Sequence, residues 1–538
     1  MQNLNLNTIH ETIEIILSIV TFIVGFLWWL YKNMESVKDL LEKVRKSYRN
    51  FISFIDLPRR LLARRMNSKD FMSWQDKVLE KIYGKELFSE LLGTYYPVCS
   101  IDFDQTYGFD KVNSLCCDEN NKNEPLLREK DEVTYTSPDI YKTEIMTHGV
   151  EKNQEALENE LKLKRKLMGT GRWWSGYNWF TARSMNDGNH IGYVLDYADI
   201  NKGKIKKLHL AVGDYKLTLL TSHILTYELY MAYCELKKAG KENDEIDLKT
   251  LWPRIPFRRY IHHVNGCFDE NGNVVNVGQA LFSGLGRYSL LSVQCMVMMC
   301  TTDEDQEPSY RTFFGKRSKS THKVSTKLGC YQFPPSGGFD LYDNMTRMDH
   351  IKKSCKLNMA LMREYLEEIF NIKEYAKFDG ANDCYGIDRI ENDPCVKSIK
   401  AMLNADLKDK RFKENAKKAY FTTVGANVDL INLRLSVNCL LVINDYNYYA
   451  YTLQNGDNKS DEHVYRKKFV YNEEIDRRES CAEQLKTQSD LESVEITLRD
   501  PCTLRGKRNI VEDSVSLYIQ GKKAFEEYIA SVRKDERK

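Results

Sequence analysis

This sequence lacks a marked surplus of either charge, CxxC pairs of cysteines and the histidine spacing of zinc sites. The 538 residues include 79 basic and 77 acidic side chains, so no surplus charge would attract nucleic acid, and we expect no stable nucleic-acid partner. The fourteen cysteines form no CxxC pair, which predicts reduced, mostly buried thiols in a cytosolic compartment. The ten histidines show no HExxH motif or zinc spacing, and only the doublet His262–His263 offers a weak indication of a metal site.

One long apolar run stands out near the start of the chain. Residues 15–31 contain 17 consecutive uncharged positions, the short end of what crosses a bilayer core. We therefore predict a tail at residues 1–12 and a transmembrane helix at residues 13–31; a buried core helix is the alternative. The residues predicted to contact the membrane are Ile15, Phe22, Trp28, Trp29 and Tyr31, the last three forming an aromatic belt.

The charges that flank this run predict its orientation. Glu11 and Glu14 precede it, whereas Lys32 and five further basic residues follow it up to position 49. The positive-inside rule then places the N-terminus outside the cell and the rest of the chain in the cytoplasm.

A heptad pattern follows directly, over residues 32–57. Two interpretations remain open: a juxtamembrane helix that lies on its own cytosolic domain, or one that self-associates and supports a homo-oligomer. About three heptads is the minimum for a coiled-coil prediction. The apolar positions, at alternating steps of three and four, are Met34, Val37, Leu41, Val44, Tyr48, Phe51 and Ile55.

The rest of the chain divides into three predicted parts. Residues 58–165 read as a helical connector with loops, and their basic stretch LPRRLLARR suits contact with anionic lipid. Residues 166–285 form the first part of a cytosolic body. Residues 286–538 show the order strand, strand, glycine-rich loop, acidic helix and strand.

The acidic helix carries the most informative motif, REYLEE, at residues 363–368. Glu364, Glu367 and Glu368 are predicted to share one helix face, although like charges at this spacing repel by about 0.2–0.5 kcal/mol per pair. An apolar face formed by Met359, Met362, Leu366 and Ile369 is predicted to pack on a core. A solvated acidic face, with Arg363 paired to Glu367, is the simpler interpretation of the motif alone.

The succession of elements around this motif resembles a Nudix domain. FFGKRS resembles the family's strand ending in a basic residue and serine, FPPSGGFD resembles its Pro-Gly-Gly turn, and REYLEE matches the end of its box. The resemblance implies an α+β fold of the α/β/α sandwich type with a mixed sheet. It also implies that Glu364, Glu367 and Glu368 hold Mg²⁺ or Mn²⁺ against a pyrophosphate, and that they are the catalytic residues if the chain is an active enzyme.

The same resemblance implies a surface that binds an anionic ligand. Lys316 and Arg317 end the strand near the box and are candidates for contacting phosphates, with Arg317 capable of a bidentate contact. Gly337 and Gly338 would form the turn at the ligand, and Arg363 would orient the helix through its neighbouring glutamates.

The chain also departs from the family's box. Gly338 and Arg363 are 25 positions apart instead of fourteen, and Cys355 stands where the family has a further glutamate. Phe370 and Asn371 replace the glycine and apolar residue that close the box. The resemblance therefore implies the fold and a phosphate-binding surface, and it leaves open whether the chain is a Mg²⁺-dependent pyrophosphohydrolase.

The order of the predicted parts resembles the transmembrane–Nudix effectors of bacterial cyclic-oligonucleotide anti-phage signalling (CBASS). That class implies a single-pass protein of the bacterial inner membrane that binds a cyclic-oligonucleotide second messenger, contacts membrane lipid and acts on the envelope. Two other functions remain open. One is an active membrane-anchored Nudix hydrolase of a nucleoside diphosphate derivative, and the other is a scaffold that binds a protein partner.

Overall fold

The computed structural model describes most of the body and little of what precedes it. The described residues are 57–66, 68–84, 98–101, 109, 191–201, 204–312, 315–316, 331–340, 355–369, 386–449 and 511–534. The chain divides into two compact units, Met1–Leu62 and Ala63–Lys538. Only the start of one helix is described in the first unit, and all that follows concerns the second.

The described secondary structure mixes helices with strands. The helices are α1 Leu57–Met66, α2 Lys69–Tyr83, α3 Tyr215–Thr218, α4 Ile224–Lys238, α5 Leu248–Leu251, α6 Pro256–Val264, α7 Val277–Leu281, α8 Leu357–Glu364, α9 Gly386–Asn392, α10 Pro394–Asn404, α11 Tyr446–Tyr449 and α12 Glu512–Val532. The strands are β1 Val98–Ile101, β2 Ile191–Asn201, β3 Lys204–Asp214, β4 Ser292–Cys300, β5 Tyr310–Thr312, β6 Gly315–Lys316, β7 Tyr331–Gln332, β8 Ser336–Gly338, β9 Ala419–Asp429 and β10 Arg434–Ile443. Two segments are π-helical, Leu219–His223 between α3 and α4 and Tyr365–Ile369 directly after α8, and Trp252–Arg254 is a 3-10 turn.

One large sheet organises this unit. Its strands follow the order β2-β3-β1-β9-β10-β4-β5, with β8 paired to β4 as well. The pairs β10–β4 and β1–β3 are parallel, and the others are antiparallel. The predicted α+β class with a mixed sheet is thus confirmed, and strands from both sides of position 286 belong to the same sheet.

The central strands are buried because helices cover both of their faces. Leu440 and Val442 of β10 pack in an apolar cluster with Leu517 of α12. The alternate residues of β10, such as Cys439 and Leu441, point away from α12, as the period-two pattern predicts. On that second face α8 packs against β4 and β8 and holds the candidate site.

Among the described residues, no helix combines the length and the apolar character that a bilayer crossing requires. The predicted transmembrane helix at residues 13–31 and the heptad positions 34–55 lie outside the described residues. Both stay predictions.

Candidate functional site

The glycine-rich turn is built into the edge of β4. Strand β8 pairs with Ser292–Gln294, and the backbone of Cys295 donates to the Pro335 carbonyl at 3.0 Å. Beyond β8, the Phe339 N–H donates to the Leu291 carbonyl at 2.8 Å. The turn is therefore held by main-chain hydrogen bonds on both sides of its two glycines.

Glu368 binds this turn directly. Its Oε2 accepts from the Ser336 N–H at 2.9 Å, and its Oε1 accepts from Gln332 Nε2 at 3.2 Å. The residue is buried and lies in the π-helical segment after α8. A carboxylate that accepts these two bonds fixes the end of the acidic helix against the start of the turn.

Arg363 binds the other end of the turn. Its Nη2 donates to the Gly338 carbonyl at 3.1 Å, to Asp340 Oδ2 at 3.3 Å and to Glu364 Oε1 at 2.7 Å, while its Nε lies 4.0 Å from Glu367. The guanidinium side chain is only 10% exposed, so these ion pairs are weakly screened by water. Arg363 thus contacts Glu364 and lies near Glu367, and its predicted role of orienting the helix through these glutamates stays a prediction.

Glycine at these positions allows the backbone of the turn to lie close to the Glu364 and Asp340 carboxylates. A Cβ added to Gly337 would overlap the Glu364 carboxylate, and one added to Gly338 would come 2.8 Å from Asp340 Oδ1. On the neighbouring strand β2, a Cβ at Gly192 would come 3.1 Å from the same Asp340 oxygen. Within the described residues this Oδ1 is buried and has no hydrogen-bond partner.

The ion pairs described at the site contain more carboxylates than basic side chains. Among the described residues, Asp340, Glu364 and Glu367 lie around the guanidinium of Arg363, so three carboxylates meet one basic side chain there. Such a surface attracts cations, and it repels a phosphate that approaches without a cation or a nearby basic side chain.

The predicted metal ligands are only partly brought together. All three glutamates reach the turn or Arg363, and their oxygens are of the kind that Mg²⁺ and Mn²⁺ prefer. However, Glu368 is turned towards Ser336 and Gln332, and the described part of the chain contains no group of three histidine, cysteine or acidic side chains that could hold a metal ion. The described geometry does not fit a three-glutamate metal site, and metal binding stays a prediction.

The predicted basic residues are placed in part. Gly315–Lys316 pairs with Tyr331–Gln332, so the Lys316 backbone lies one strand away from Gln332 and its contact with Glu368. The side chain of Lys316 and the whole of Arg317 lie outside what the structure describes.

The structure adds site residues whose roles the sequence did not indicate. Asp340 lies two positions after the Gly-Gly pair, but only its contact with Arg363 gives it a role. Gln332 and Ser336 become relevant through Glu368, and Gly192 lies more than a hundred positions away from the motif. No local pattern could have indicated Gly192.

The histidine doublet has a different environment. His262 is fully buried, its Nδ1 donates to the Arg258 carbonyl at 2.7 Å, and desolvation lowers its pKa to about 3. It is therefore a neutral core histidine, and it contributes nothing to the site described above.

Comparison with known proteins adds no family to this description. The chain matches no protein-family model, and no curated protein matches it. The likeness to the Nudix family remains a prediction that rests on the residues of the turn and the acidic helix.

Proposed function

We propose that this protein is a membrane-anchored effector that senses a cyclic nucleotide through a Nudix-like domain and acts on the bacterial inner membrane in anti-phage defence. The observation that supports the sensing role is that side chains of the acidic helix contact the glycine-rich turn. Glu368 and Arg363 direct their polar groups to the two ends of the turn at residues 336–340 and hydrogen-bond to it there. A turn fixed in this way is a preorganised binding surface, which reduces the entropic cost of binding a ligand.

The anchoring part of the proposal rests on the apolar run at residues 15–31 and on the heptad pattern that follows it. In this proposal the nucleotide favours an assembled state of the anchored chains. A near-complete switch requires the nucleotide to bind that state about 10⁴-fold more tightly, equivalent to about 5.5 kcal/mol.

A specific observation also favours the second candidate, a membrane-anchored hydrolase. Three carboxylates converge on Arg363, and the resulting negative charge is what a divalent cation at a pyrophosphate would neutralise. In that case the predicted ligands Glu364 and Glu367 would hold the cation beside Arg363, and Glu368 would have to turn away from Ser336 and Gln332 to join them.

Binding and turnover measured on the same full chain separate the two candidates. The probes are a panel of cyclic di- and trinucleotides and ADP-ribose, with Mg²⁺ present. For the sensor we expect Lys316→Ala with Arg317→Ala to abolish binding, because the acidic turn needs adjacent positive charge to accept a phosphate. Glu367→Gln should retain both binding and toxicity.

The matched control is Lys522→Ala with Lys523→Ala, an adjacent basic pair on α12 that should leave binding unchanged. Rapid metal-dependent cleavage by the wild type, with toxicity that follows activity through the glutamate variants, would favour the hydrolase. If no probe shifts the thermal unfolding temperature, the nucleotide-sensing proposal is wrong and a protein scaffold becomes the better explanation.

A further inference from the structure

The first strand of the β2–β3 hairpin lies directly against the glycine-rich turn. The Tyr193 N–H donates to the Phe339 carbonyl at 2.9 Å, and the two aromatic rings have centroids 4.4 Å apart. Gly192 bridges to Asp340, and a Cβ at Gly192 would come 2.8 Å from the Phe339 carbonyl oxygen. Both aromatic side chains are fully buried, so a shift of the turn would have to be accommodated in their packing against β2.

The same strand also binds the residues that lead into β4. The Leu195 N–H donates to the Ser289 carbonyl at 3.0 Å, and the Leu291 N–H donates to the Tyr193 carbonyl at 2.9 Å. We call these contacts of Gly192–Leu195 with Ser289–Leu291 and Phe339–Asp340 the seam. Its strand contacts are isolated bridges, whereas β2 and β3 form a long ladder, so the seam is the weaker edge of β2.

A π-helical segment lies near each of the two chain segments that the seam joins to β2. Thr221 Oγ1 of the first π-helical segment accepts at 2.8 Å from the N–H of Tyr288, the residue before Ser289. Glu368 of the second segment accepts from Ser336, at the start of the turn that leads to Phe339. Because π-helical turns are rare and frequently occur at functional sites, both neighbours of the seam are of functional interest.

The hairpin leads from the seam towards the N-terminal part of the chain. Strand β3 pairs in parallel with β1 at Ser100↔Lys204 and Ile101↔Ile205. Of the described strands, β1 is the nearest in sequence to the predicted transmembrane helix. The path from the turn through β2 and β3 thus ends at β1, the first of the described strands in the chain.

We propose that the seam is a coupling element, which transmits the conformation of the glycine-rich turn to the β2–β3 hairpin and from there to β1. This inference rests on the proposed function, because it assigns the regulatory route of the same site. Physical contact alone does not establish coupling, so the response of β2 to a change in the turn has to be measured.

The test uses Glu364→Gln in the full chain, without nucleotide. This change removes the ion pair between Glu364 and Arg363 and leaves a side chain of similar size. We expect the amides of Tyr193 and Leu195 to exchange with deuterium about tenfold faster, since opening of the seam exposes both. Amides of β10 at residues 434–443 should exchange as in the wild type.

Two further variants make the test specific. Glu391→Gln removes an ion pair to Lys356 of similar length, 3.0 Å, that does not touch the turn, and it should leave exchange in β2 unchanged. Val194→Cys with Leu290→Cys places a disulfide across a bridged antiparallel pair, whose Cα spacing of about 4.5–5.5 Å suits such a bond. With that disulfide formed, Glu364→Gln should no longer alter exchange in β2.

Unchanged exchange in β2 after Glu364→Gln, or an equal response to Glu391→Gln, would overturn the coupling. An effect of Glu364→Gln that persists with the disulfide formed would overturn it as well. Because the measurement needs no nucleotide, its failure is distinct from a failure of the nucleotide to bind, which would reject the proposed function.

Discussion

At the scale of single residues, Gly337 shows how the turn and the acidic helix depend on each other. The backbone at this position lies against the carboxylate of Glu364, which in turn holds Arg363 at 2.7 Å. Gly337 lies in a strand and is not among the described glycines with positive φ. The constraint is therefore space for the carboxylate, and any side chain at this position would displace it.

We predict that Gly337→Ala displaces Glu364 and weakens ligand binding more than it weakens the fold. The added methyl group meets the end of a flexible side chain, so the chain can relax by moving the carboxylate away from Arg363. We expect a fall of only a few degrees in the unfolding temperature, together with at least about a tenfold loss of nucleotide affinity, equivalent to about 1.4 kcal/mol.

The double variant Gly337→Ala with Glu364→Ala tests the cause. Removal of the carboxylate removes the overlap, so the alanine at position 337 should cost almost no unfolding temperature in this background. A fall as large as that caused by Gly337→Ala alone would show that the backbone, and not Glu364, is the obstacle.

At the scale of secondary structure, the residue pattern predicts which face of the acidic helix is buried. It does not predict that the helix changes from α to π at Tyr365. Met359, Met362, Leu366 and Ile369 are all fully buried, as their spacing predicts. The switch from α-helix to π-helix at Tyr365 has no signature in the residue pattern. Within this segment Glu368 reaches Ser336, whereas Glu367 stays with Glu364 beside Arg363, so the face that all three were predicted to share is divided between the two ends of the turn.

A buried hydrogen bond joins helix α12 to the sheet, and no sequence pattern indicated it. Asn438 of β10 is fully buried, accepts from Gln294 Nε2 at 2.7 Å and donates to Gln520 Oε1 at 2.7 Å. The alternation of β10 predicted its apolar face, but the partners of Asn438 come from positions 144 and 82 residues away. Such long-range pairs depend on the packing of α12, which no local pattern specifies.

We predict that Asn438→Leu destabilises the protein strongly, because it leaves a buried oxygen of Gln520 without its donor. Each buried polar group stranded in this way costs about 1–3 kcal/mol. Replacement of Gln294, Asn438 and Gln520 by leucine together should cost clearly less than the sum of the three single changes, since the three amides no longer strand one another and only their bonds to Asp513 and Ser516 are lost. Thermal unfolding of the four variants at one pH measures both quantities.

If the triple variant costs as much as the three single changes together, the amides contribute independently and do not form a network. Wild-type stability in Asn438→Leu would show that Gln520 finds another donor when Asn438 is replaced.

At the scale of the whole chain, the sheet joins segments that are far apart in sequence. Strand β1 at residues 98–101 pairs with both β3 and β9, and β9 begins more than three hundred positions later. Local periodicity indicated several of these strands one by one, but their order in the sheet follows from pairings between distant residues. The same applies to the site, where Gly192 and Asp340 meet although nothing in either neighbourhood indicates the other.

We predict that residues 13–31 cross the inner membrane and that the body lies in the cytoplasm. The 17 uncharged residues are just long enough for the bilayer core, and the basic residues that follow favour the cytoplasmic side. Protease added outside intact spheroplasts should therefore leave the body uncut, whereas the same protease should digest it after lysis. Digestion of the body in intact spheroplasts would reverse the topology.

The flanking charges supply the control for this experiment. Replacement of Lys32, Lys38 and Lys43 by glutamate removes half of the six basic residues that follow the run up to position 49. Since orientation follows the lysine and arginine bias near the ends of a span, a fraction of the variant chains should become sensitive to protease outside the cell. If the variant stays fully protected and is released from membranes by high salt, residues 13–31 do not span the bilayer, and the effector proposal loses its anchor.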